Sequence, residues 1–279
     1  MRHVAKYRRS ESEISECKLS VWRLIELGVD DAFTNMAIDE AITVARISDA
    51  VPNTLRLYRW KPSAVSIGRF QDILSEVHAD DCKQRGVDLV RRITGGGAVY
   101  HSSQNEITYS IITREKDFGS TDVVYAYNRI CNGLIEAAKI LGISAEFNQG
   151  DPRNCPNITV NGKKISGSAQ YHRGGVLLQH GTFLLDVNLK EMFTFLRVPW
   201  AKIVDDVVCV ANDRLTSIGK ELKRDVRVEE ASKALVQGFR RALEVEFMNE
   251  DLTWEERQVA SKLRREKYSA ENWNIKGVF

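Results

Sequence analysis

The amino-acid sequence predicts an α+β fold, in which a mixed β-sheet carries packed helices. Segments rich in β-branched and aromatic residues dominate the first two thirds of the chain, and amphipathic segments with helical spacing follow them. The chain has 279 residues, of which 43% are hydrophobic, so it can bury a sizeable core. No internal repeat or low-complexity linker interrupts it. We therefore expect a flexible, polar N-terminal extension over residues 1–20 and a single domain over residues 21–279.

The first half of the chain is predicted to be mostly strand. Strands are expected at Val21–Leu27, Thr54–Trp60, Ala64–Gly68, Val87–Arg92, Val99–Tyr100 and Ile107–Thr113. One helix interrupts them, because apolar residues recur at helical spacing up to Ile47, and Thr34 is its expected N-cap.

The second half is predicted to be mostly helix. A long amphipathic helix is expected over Asp122–Leu141, with Gly142 as its C-terminal cap. Asn161-Gly162 is a strong hairpin turn between short strands at Ile158–Val160 and Lys164–Ile165. A further strand is expected at Val176–Leu185, followed by helices at Leu189–Leu196, Arg214–Ile218, Val228–Leu243 and Trp254–Tyr268.

Composition narrows the function. The net charge of +2 argues against bulk binding of nucleic acid. No apolar run is long enough to span a bilayer, and the polar N-terminus lacks the apolar centre of a signal peptide. The five cysteines are scattered without a CxxC pair, and no metal-ligand spacing is visible. We expect a reduced, cytoplasmic protein without a metal site or a membrane partner.

Two polar, glycine-rich segments stand beside apolar runs. The first reads RRITGGGAVYH from Arg91 to His101, and the second reads KKISGSAQ from Lys163 to Gln170. Consecutive glycines let the backbone approach a ligand closely, and arginines beside backbone N–H groups suit a carboxylate or a phosphate. One such loop alone could be a tight turn, but the pair indicates two walls of one pocket.

Longer motifs surround these segments. They read FTNMAIDEA from Phe33, LRLYRWKPSAVSIGRFQ from Leu55, EITYSI from Glu106, ITVNGKKISGSAQ from Ile158, VLLQHGTFLLD from Val176 and KYSAENWN from Lys267. In this order they resemble the lipoate–protein ligase and octanoyltransferase family, whose catalytic domain is related to that of biotin protein ligase. The resemblance implies a catalytic domain with a central sheet, which attaches a lipoyl or octanoyl group to one lysine of a carrier domain.

The resemblance also implies the residues of the site. Lys164 matches the family lysine that contacts the acyl-adenylate, and its charge suits a developing oxyanion, whereas strand alternation turns Lys163 away. The matching binding positions are Gly68, Gln71, Arg91, Arg92, Gly95, Gly96, Gly97, Ala98, Tyr100, His101, Gly167, Ser168, Ala169 and His180. Of the two arginines, Arg92 is favoured as ligand-facing. For both histidines a structural role stays open.

Part of the pocket should hold the acyl chain. The candidates for an apolar tunnel are Trp60, Phe70 and Tyr100, for which ordinary core positions are the alternative. Burying a chain is worth about 0.8 kcal/mol per methylene, so most of the binding free energy would arise there.

Two chemistries remain open. The principal prediction is an ATP-dependent lipoate–protein ligase that forms lipoyl-AMP and uses ATP with Mg²⁺, because the GGGAV loop resembles that of ligases. The alternative is an octanoyltransferase, which takes octanoate from acyl carrier protein and carries it as a thioester on Cys155, with Arg153 and Lys164 favouring the thiolate. The motifs that begin at Glu106 and Lys267 resemble these cysteine transferases, but Cys155 lies closer to Gly162 than expected for them.

Other classes fit less well. A non-catalytic lipoyl-domain-binding protein would not need Lys164 beside an intact glycine loop, and the RRITGGGAVYH form disfavours a biotin ligase. The expected partners are lipoyl domains of 2-oxoacid dehydrogenases or the glycine cleavage H protein. The sequence leaves no room for a C-terminal accessory domain after KYSAENWN, so a ligase would need a separate accessory subunit or a reduced domain, whereas a transferase would need neither.

Overall fold

A computed structural model describes residues 19–118, 122–150, 155–198, 200–201 and 203–279. Most of the expected N-terminal extension lies outside these residues, as does Arg153.

Two β-sheets form the framework. Their strands are β1 (Ser20–Asp30), β2 (Thr54–Trp60), β3 (Ala64–Ile67), β4 (Asp88–Arg91), β5 (Val99–His101), β6 (Glu106–Arg114), β7 (Glu146–Asn148), β8 (Asn157–Val160), β9 (Lys163–Arg173), β10 (Val176–Leu184) and β11 (Val245–Asn249). The large sheet has the order β11-β1-β2-β6-β10-β9-β8-β7, and the small sheet has the order β4-β3-β5. Within the large sheet, β1 pairs in parallel with β2 and β11, whereas β2, β6, β10 and β9 pair antiparallel. This mixed sheet confirms the predicted α+β class.

Helices cover both sheets. They are α1 (Ala32–Ile47), α2 (Ile73–Glu76), α3 (Ala79–Gln84), α4 (Val123–Ile140), α5 (Leu189–Phe195), α6 (Val204–Asn212), α7 (Ile218–Leu222), α8 (Val228–Leu243) and α9 (Trp254–Leu263). A 3₁₀ turn lies at Glu115–Phe118, and π-helical turns follow α9 at Arg264–Tyr268 and Asn272–Lys276. Within the described ranges, no helix has the length and apolar character to cross a membrane.

Two of the three predicted turn and cap positions are confirmed. Asn161 and Gly162 have φ values of 49° and 77°, as a two-residue hairpin turn with positive φ at both positions requires. Gly142 follows the end of α4 with φ of 93°, which suits its predicted capping role. The prediction of Thr34 as the N-cap of α1 is wrong. The cap is Asp31, whose side chain accepts a hydrogen bond from the backbone N–H of Thr34 at 2.7 Å.

The predicted helix at Arg214–Ile218 is wrong. Before Ile218 the backbone of this segment pairs instead with Lys164, whose N–H donates to the carbonyl of Arg214 at 2.8 Å and whose carbonyl accepts from the N–H of Thr216 at 3.0 Å. Helices α6 and α7 flank it on either side. The strands β7 and β11 were not predicted, because both are short, and β11 exists only through pairing with the distant strand β1.

The large sheet is buried on both faces. On one face α4 and α8 pack against residues such as Leu57 and Tyr109. On the other face α1 packs against Tyr58 and Ile112. The small sheet has its own core, formed with α3 and α5, and it stands over the face that carries α1.

Gly238 on α8 tests the contact between α8 and α4. A Cβ atom there would lie 2.4 Å from the carbonyl oxygen of Gly133 and 2.6 Å from the backbone nitrogen of Ala137. Because helix backbone cannot yield locally, we expect Gly238→Ala to lower the free energy of unfolding by about 1–3 kcal/mol in urea titrations. Replacing a glycine by alanine in a helix interior ordinarily raises the free energy of unfolding by about 0.5–1 kcal/mol. The exposed neighbour Gln237 provides the control, and Gln237→Ala should change little. A more stable Gly238→Ala protein would contradict the contact.

Candidate active site

A cavity of about 670 Å³ lies between the two sheets. Its floor is a row of side chains on the α1 face, where Tyr58 pairs with Thr108 and Thr108 pairs with Thr182 across β2, β6 and β10. The row reaches β9 at Gly167, whose N–H lies 3.4 Å from Thr182 Oγ1. The floor therefore carries a small residue at its β9 end and a large aromatic residue at its β2 end.

Most of the residues predicted from the sequence line this cavity. They are Gln71, Arg92, Gly96, Gly97, Ala98, His101, Cys155, Lys164, Gly167, Ser168, Ala169 and His180. Trp60, one of the tunnel candidates, lines it too. The other two candidates do not. Phe70 is 91% exposed, and Tyr100 stacks on Phe195 in the core of the small sheet at 5.3 Å between ring centroids. Gly68, Gly95 and Arg91 also lie outside the lining.

Arg92 holds the glycine loop (residues 94–98) from inside the protein. Its Nη2 donates to the carbonyl oxygens of Gly95 at 2.6 Å and Gly97 at 2.7 Å. Its Nη1 donates to the carbonyl oxygen of Ser66 at 3.0 Å and to its Oγ at 3.2 Å, and its Nε donates to Thr94 Oγ1 at 3.1 Å. Burial lowers the pKa of Arg92 to about 10, so the side chain remains a buried cation at neutral pH.

Two glycines let separate segments meet at this loop. Gly96 has φ of 86°, and a Cβ atom there would lie 3.0 Å from Arg92 Nη2 and 3.7 Å from Cys155 Sγ. At Gly68 a Cβ atom would lie 2.1 Å from the carbonyl oxygen of Gly96, so the segment 68–71 rests directly on the loop. Within that segment Gln71 Oε1 accepts from the N–H of Gly68 at 2.9 Å. Gly68 thus supports the cavity wall without lining it.

Lys164 is fixed by its backbone and by a glycine. Both of its backbone polar groups bond to the segment before α7, and the ammonium packs on Gly167, where a Cβ atom would lie 2.7 Å from Nζ. The side chain is partly exposed, but only toward the cavity. Burial lowers the pKa of Lys164, and the nearby Arg92 charge lowers it further, while Cys155 opposes the shift. Lys163 points the other way, with Nζ donating to the carbonyl of Asn212 at 2.8 Å.

Cys155 is the exposed thiol of the cavity wall. The cysteines that the structure describes are all free, and they are Cys82, Cys131, Cys155 and Cys209. Cys82 and Cys131 are buried, and burial raises the pKa of Cys82 to about 11. Only Cys155 among them lines the cavity, where it interacts electrostatically with both Lys164 and Arg92.

Arg91 joins the cavity wall to the C-terminal segment (residues 268–277). Its guanidinium donates to backbone carbonyls on two sides, which belong to Gly68, Arg69, Gln71, Trp273 and Ile275. The backbone of Arg91 is held as well, because its N–H donates to Asn274 Oδ1 at 2.9 Å and its carbonyl accepts from Trp273 Nε1 at 2.7 Å. The expectation that Arg91 binds a ligand is therefore replaced by a structural role: strand alternation turns it away from the cavity that Arg92 enters.

The two predicted histidines both line the cavity, and each is fixed by a carboxylate. His180 Nδ1 lies 3.1 Å from Asp39 Oδ2, and His101 Nδ1 lies 2.8 Å from Glu106 Oε1. Burial lowers the pKa of His180. Burial by itself would raise the pKa of Asp39, but the charge of Arg56 and the hydrogen bond from His180 outweigh it, and the pKa lies below its ordinary value.

Sequence reasoning missed several polar residues in the lining or behind it. Asp39, Ser66, Thr94 and Glu106 are all nearly or fully buried, and none was singled out. Three of them stand inside motifs that carry the family resemblance, and a charged residue within an apolar helical face, such as Asp39 in MAIDEA, was the available signal. Among the described residues, no group of three or more His, Cys, Asp and Glu side chains is placed to hold a metal ion.

Comparison with known proteins identifies relatives along nearly the whole chain. The family model described as lipoyl protein ligase A/B catalytic domain matches residues 31–240. The octanoyltransferase LipM of Symbiobacterium thermophilum is 37% identical over 272 residues, which cover 91% of this chain and 98% of the relative. The octanoyltransferase LipM of Bacillus subtilis is 30% identical over 275 residues, with 91% and 98% coverage.

Solved structures agree with the fold. A lipoate-protein ligase A bound with ATP superposes with a TM-score of 0.80 at 29% identity, covering 92% of this chain and 99% of that one. The bipartite lipoate protein ligase of Thermoplasma acidophilum, described together with its E2 lipoyl domain, gives a TM-score of 0.79 at 28% identity, with 94% and 98% coverage. The resemblance inferred from the sequence is confirmed.

The prediction of an ATP-dependent ligase as the principal activity is wrong. The curated relatives that match almost end to end at 30–37% identity are octanoyltransferases. The error came from giving more importance to the GGGAV loop and to the short spacing after Cys155 than to the motifs that begin at Glu106 and Lys267. The alternative stated beside it is the better supported one.

Trp273→Phe tests the link between the C-terminal segment and β4. The phenyl ring retains the aromatic contacts but cannot donate to the carbonyl of Arg91. We expect the free energy of unfolding to fall by about 1–3 kcal/mol, since a buried acceptor is left without its donor. Hydrogen exchange in the segment 268–277 should also rise. The exposed Trp254 gives the matched control, because Trp254→Phe breaks no buried bond. Equal stability of the two variants would mean that this bond does not fasten the segment.

Proposed function

Because the chain belongs to the lipoyl protein ligase A/B catalytic domain family, we propose that it is an octanoyltransferase that carries the acyl group on Cys155. The donor is an octanoyl thioester of acyl carrier protein, and the acceptor is the ε-amine of one lysine on a lipoyl domain. The observation that supports this most strongly is an exposed thiol in the wall of a cavity that Lys164 and Arg92 also line.

The first half-reaction transfers octanoate to the protein. The Cys155 thiolate attacks the carbonyl carbon of the donor thioester, and a tetrahedral oxyanion forms. The bond from carbon to the carrier sulfur then breaks, and the carrier leaves as a thiol with the proton that Cys155 gave up. Lys164 and the N–H groups of the glycine loop would stabilise the oxyanion, and the buried charge of Arg92 would add to the local field.

The second half-reaction passes octanoate to the acceptor. The neutral lysine amine attacks the Cys155 thioester, a carbon–nitrogen bond forms, and the bond to Sγ breaks. One amine proton returns to the sulfur. No ATP is consumed, because the thioester bond already activates the acyl group.

The cavity suits the acyl chain. From the β9 side, where the Lys164 ammonium packs on Gly167, the floor continues to Tyr58 and Trp60 on β2, with Met36 of α1 beside them. An eight-carbon chain laid along this floor would gain about 0.8 kcal/mol for each buried methylene.

A lipoyl domain is the acceptor that the relatives favour. The Thermoplasma ligase structure is described with its E2 lipoyl domain, and its fold matches this chain closely. The glycine cleavage H protein is the other acceptor that we propose. The reaction needs no accessory subunit, since the thiol and both cations come from this chain.

The thiol can be tested directly. On incubation with octanoyl-carrier protein we expect an octanoyl adduct on Cys155 that hydroxylamine removes. Cys155→Ser should lose the adduct and nearly all transfer, because an alcohol is a far poorer nucleophile than a thiolate at neutral pH. Cys209→Ser removes the other exposed cysteine that the structure describes and should behave as wild type. Full transfer by Cys155→Ser, measured by mass spectrometry of the acceptor, would refute the proposal.

The pKa of Lys164 should determine where kcat falls on the alkaline side of its pH profile. The ammonium must be protonated to stabilise an oxyanion, and burial holds its pKa below the ordinary 10.5. As pH rises through that lowered pKa the charge is lost, so kcat should fall. In Lys164→Arg the guanidinium stays protonated, so the limb should move to higher pH even if the maximal rate is lower. Lys163→Arg, outside the cavity, is the control with an unchanged profile. An identical alkaline limb in Lys164→Arg would exclude this role.

A further inference from the structure

The buried Arg92 is held in part by two hydroxyl groups, and a hydroxyl is an ambiguous partner. Ser66 Oγ and Thr94 Oγ1 both accept hydrogen bonds from the guanidinium. A hydroxyl can present a lone pair to Arg92 only when its own proton points elsewhere. Something must therefore orient each hydroxyl.

A chain of hydrogen bonds, which we call the first relay, orients the hydroxyl group of Ser66. It runs from Glu106 through His101 to Ser66, with 2.8 Å between Glu106 Oε1 and Nδ1 and 2.8 Å between Nε2 and Ser66 Oγ. An ionised carboxylate only accepts hydrogen bonds, so Nδ1 donates to it, and in the neutral imidazole this leaves Nε2 as the acceptor. The Ser66 proton then points to Nε2, and an oxygen lone pair is left for Arg92. Trp60 stacks on the imidazole at 4.0 Å and fixes the plane of the ring.

The second relay orients Thr94 in the same way. It runs from Asp39 through His180 to Thr94, with 3.1 Å between Asp39 Oδ2 and Nδ1 and 2.8 Å between Nε2 and Thr94 Oγ1. Asp39 is itself fixed, because Arg56 and Tyr58 donate to its carboxylate at 2.8 Å and 3.0 Å. The same reasoning about the imidazole proton turns the Thr94 lone pair toward Arg92.

The two relays approach Arg92 from different layers of the protein. The histidine and serine of the first relay belong to β5 and β3 of the small sheet. The aspartate and histidine of the second relay belong to α1 and to β10 of the large sheet. Arg92 is therefore held between the two layers that enclose the cavity, and its position is set relative to both.

We propose that His101 and His180 are positioning residues whose relays hold Arg92 against the glycine loop, with its charge directed at Cys155. A direct ion pair would hold a guanidinium equally well, but it would cancel the charge at the cavity. Neutral hydroxyls fix the guanidinium without cancelling its positive charge. The electric field of that charge still reaches the cavity, where the low dielectric constant strengthens it. The proposal rests on the proposed function only in taking Cys155 as the reacting atom.

The carboxylate of the first relay is held inside the protein. Glu106 is 1% exposed, and its Oε1 accepts from Thr108 Oγ1 at 2.9 Å as well as pairing with His101 Nδ1.

The test removes one hydroxyl at a time. Ser66→Ala and Thr94→Val break one relay each, whereas Ser66→Thr and Thr94→Ser keep the hydroxyl. Thr43→Val is the matched control, since Thr43 is a buried threonine whose hydroxyl donates only to the backbone carbonyl of Asp39 at 2.8 Å. Each substitution is made in the wild type and in Arg92→Met. The first readout is the rate of iodoacetamide alkylation at Cys155, followed by peptide mass spectrometry over a pH series. The second is kcat and KM for octanoyl transfer.

We expect Ser66→Ala and Thr94→Val each to slow alkylation and kcat about tenfold at neutral pH, the usual effect of losing a hydrogen bond to a charged group. KM should change little. Ser66→Thr, Thr94→Ser and Thr43→Val should stay near the wild-type rates. In Arg92→Met neither relay substitution should slow alkylation further, because the relays act through Arg92.

Two results would overturn the proposal. One is that Ser66→Ala or Thr94→Val slows alkylation by the same factor in Arg92→Met as in the wild type. The other is that both variants are alkylated at the wild-type rate. If one deletion prevents folding, the other relay and the hydroxyl-retaining variants still decide. Alkylation needs no carrier protein, so the two proposals fail separately. The expected alkylation pattern without octanoyl transfer would support the relays and refute the octanoyltransferase.

Discussion

The buried charge of Arg92 is the constraint on which the rest of the site depends. Among the described residues it forms no ion pair with a carboxylate, yet the side chain is only 4% exposed. A buried cation is tolerated only when its donors are satisfied. Carbonyls of Ser66, Gly95 and Gly97 supply most of the acceptors. The glycine loop must therefore fold back over the guanidinium, which requires a residue with positive φ at Gly96.

The same constraint explains why related proteins can support different chemistry on one framework. A cation and a set of backbone N–H groups stabilise the oxygen of an acyl-adenylate or of a thioester adduct equally well. In this chain a thiol also stands at the cavity wall. Cys155 Sγ would lie 3.7 Å from a Cβ atom at Gly96, so it stands beside the loop that Arg92 organises. A ligase-like loop is therefore compatible with transferase chemistry, which is why the loop was a poor guide.

Much of the framework could be predicted from the sequence, because local signals fixed it. The hairpin turn at Asn161-Gly162 and the helix Val228–Leu243 have strong turn chemistry and strong helical spacing, and both were predicted with the correct bounds. The segment Arg214–Ser217 was not, because its backbone is fixed by pairing with Lys164, fifty residues earlier in the chain. Pairing of that kind leaves no local pattern. The same is true of β11, which exists only through β1.

The residues of the site also fall into two groups, those that local motifs revealed and those that only the folded structure revealed. Lys164, both histidines and three of the five predicted glycines (Gly96, Gly97 and Gly167) were recognisable from motifs and line the cavity. The roles of Arg91 and Tyr100 were not recognisable. Both were assigned to the binding site from the family resemblance, whereas Arg91 fastens the C-terminal segment and Tyr100 packs on Phe195. The partners of the histidines were missed for two reasons. The position of Asp39 within an apolar helical face was a signal that was not used, and Glu106 carries no local sign that the fold buries it.

The donor requirement tests the central claim most directly. Purified protein is mixed with an apo lipoyl domain and given either octanoyl-carrier protein alone or free octanoate with ATP and Mg²⁺, and the acceptor mass is followed in time. If transfer proceeds through a thiol, the acceptor gains an octanoyl group from the carrier protein without ATP. With free octanoate, ATP and Mg²⁺, no modification occurs at a comparable rate. Modification that occurs only with the free acid and ATP would contradict the account.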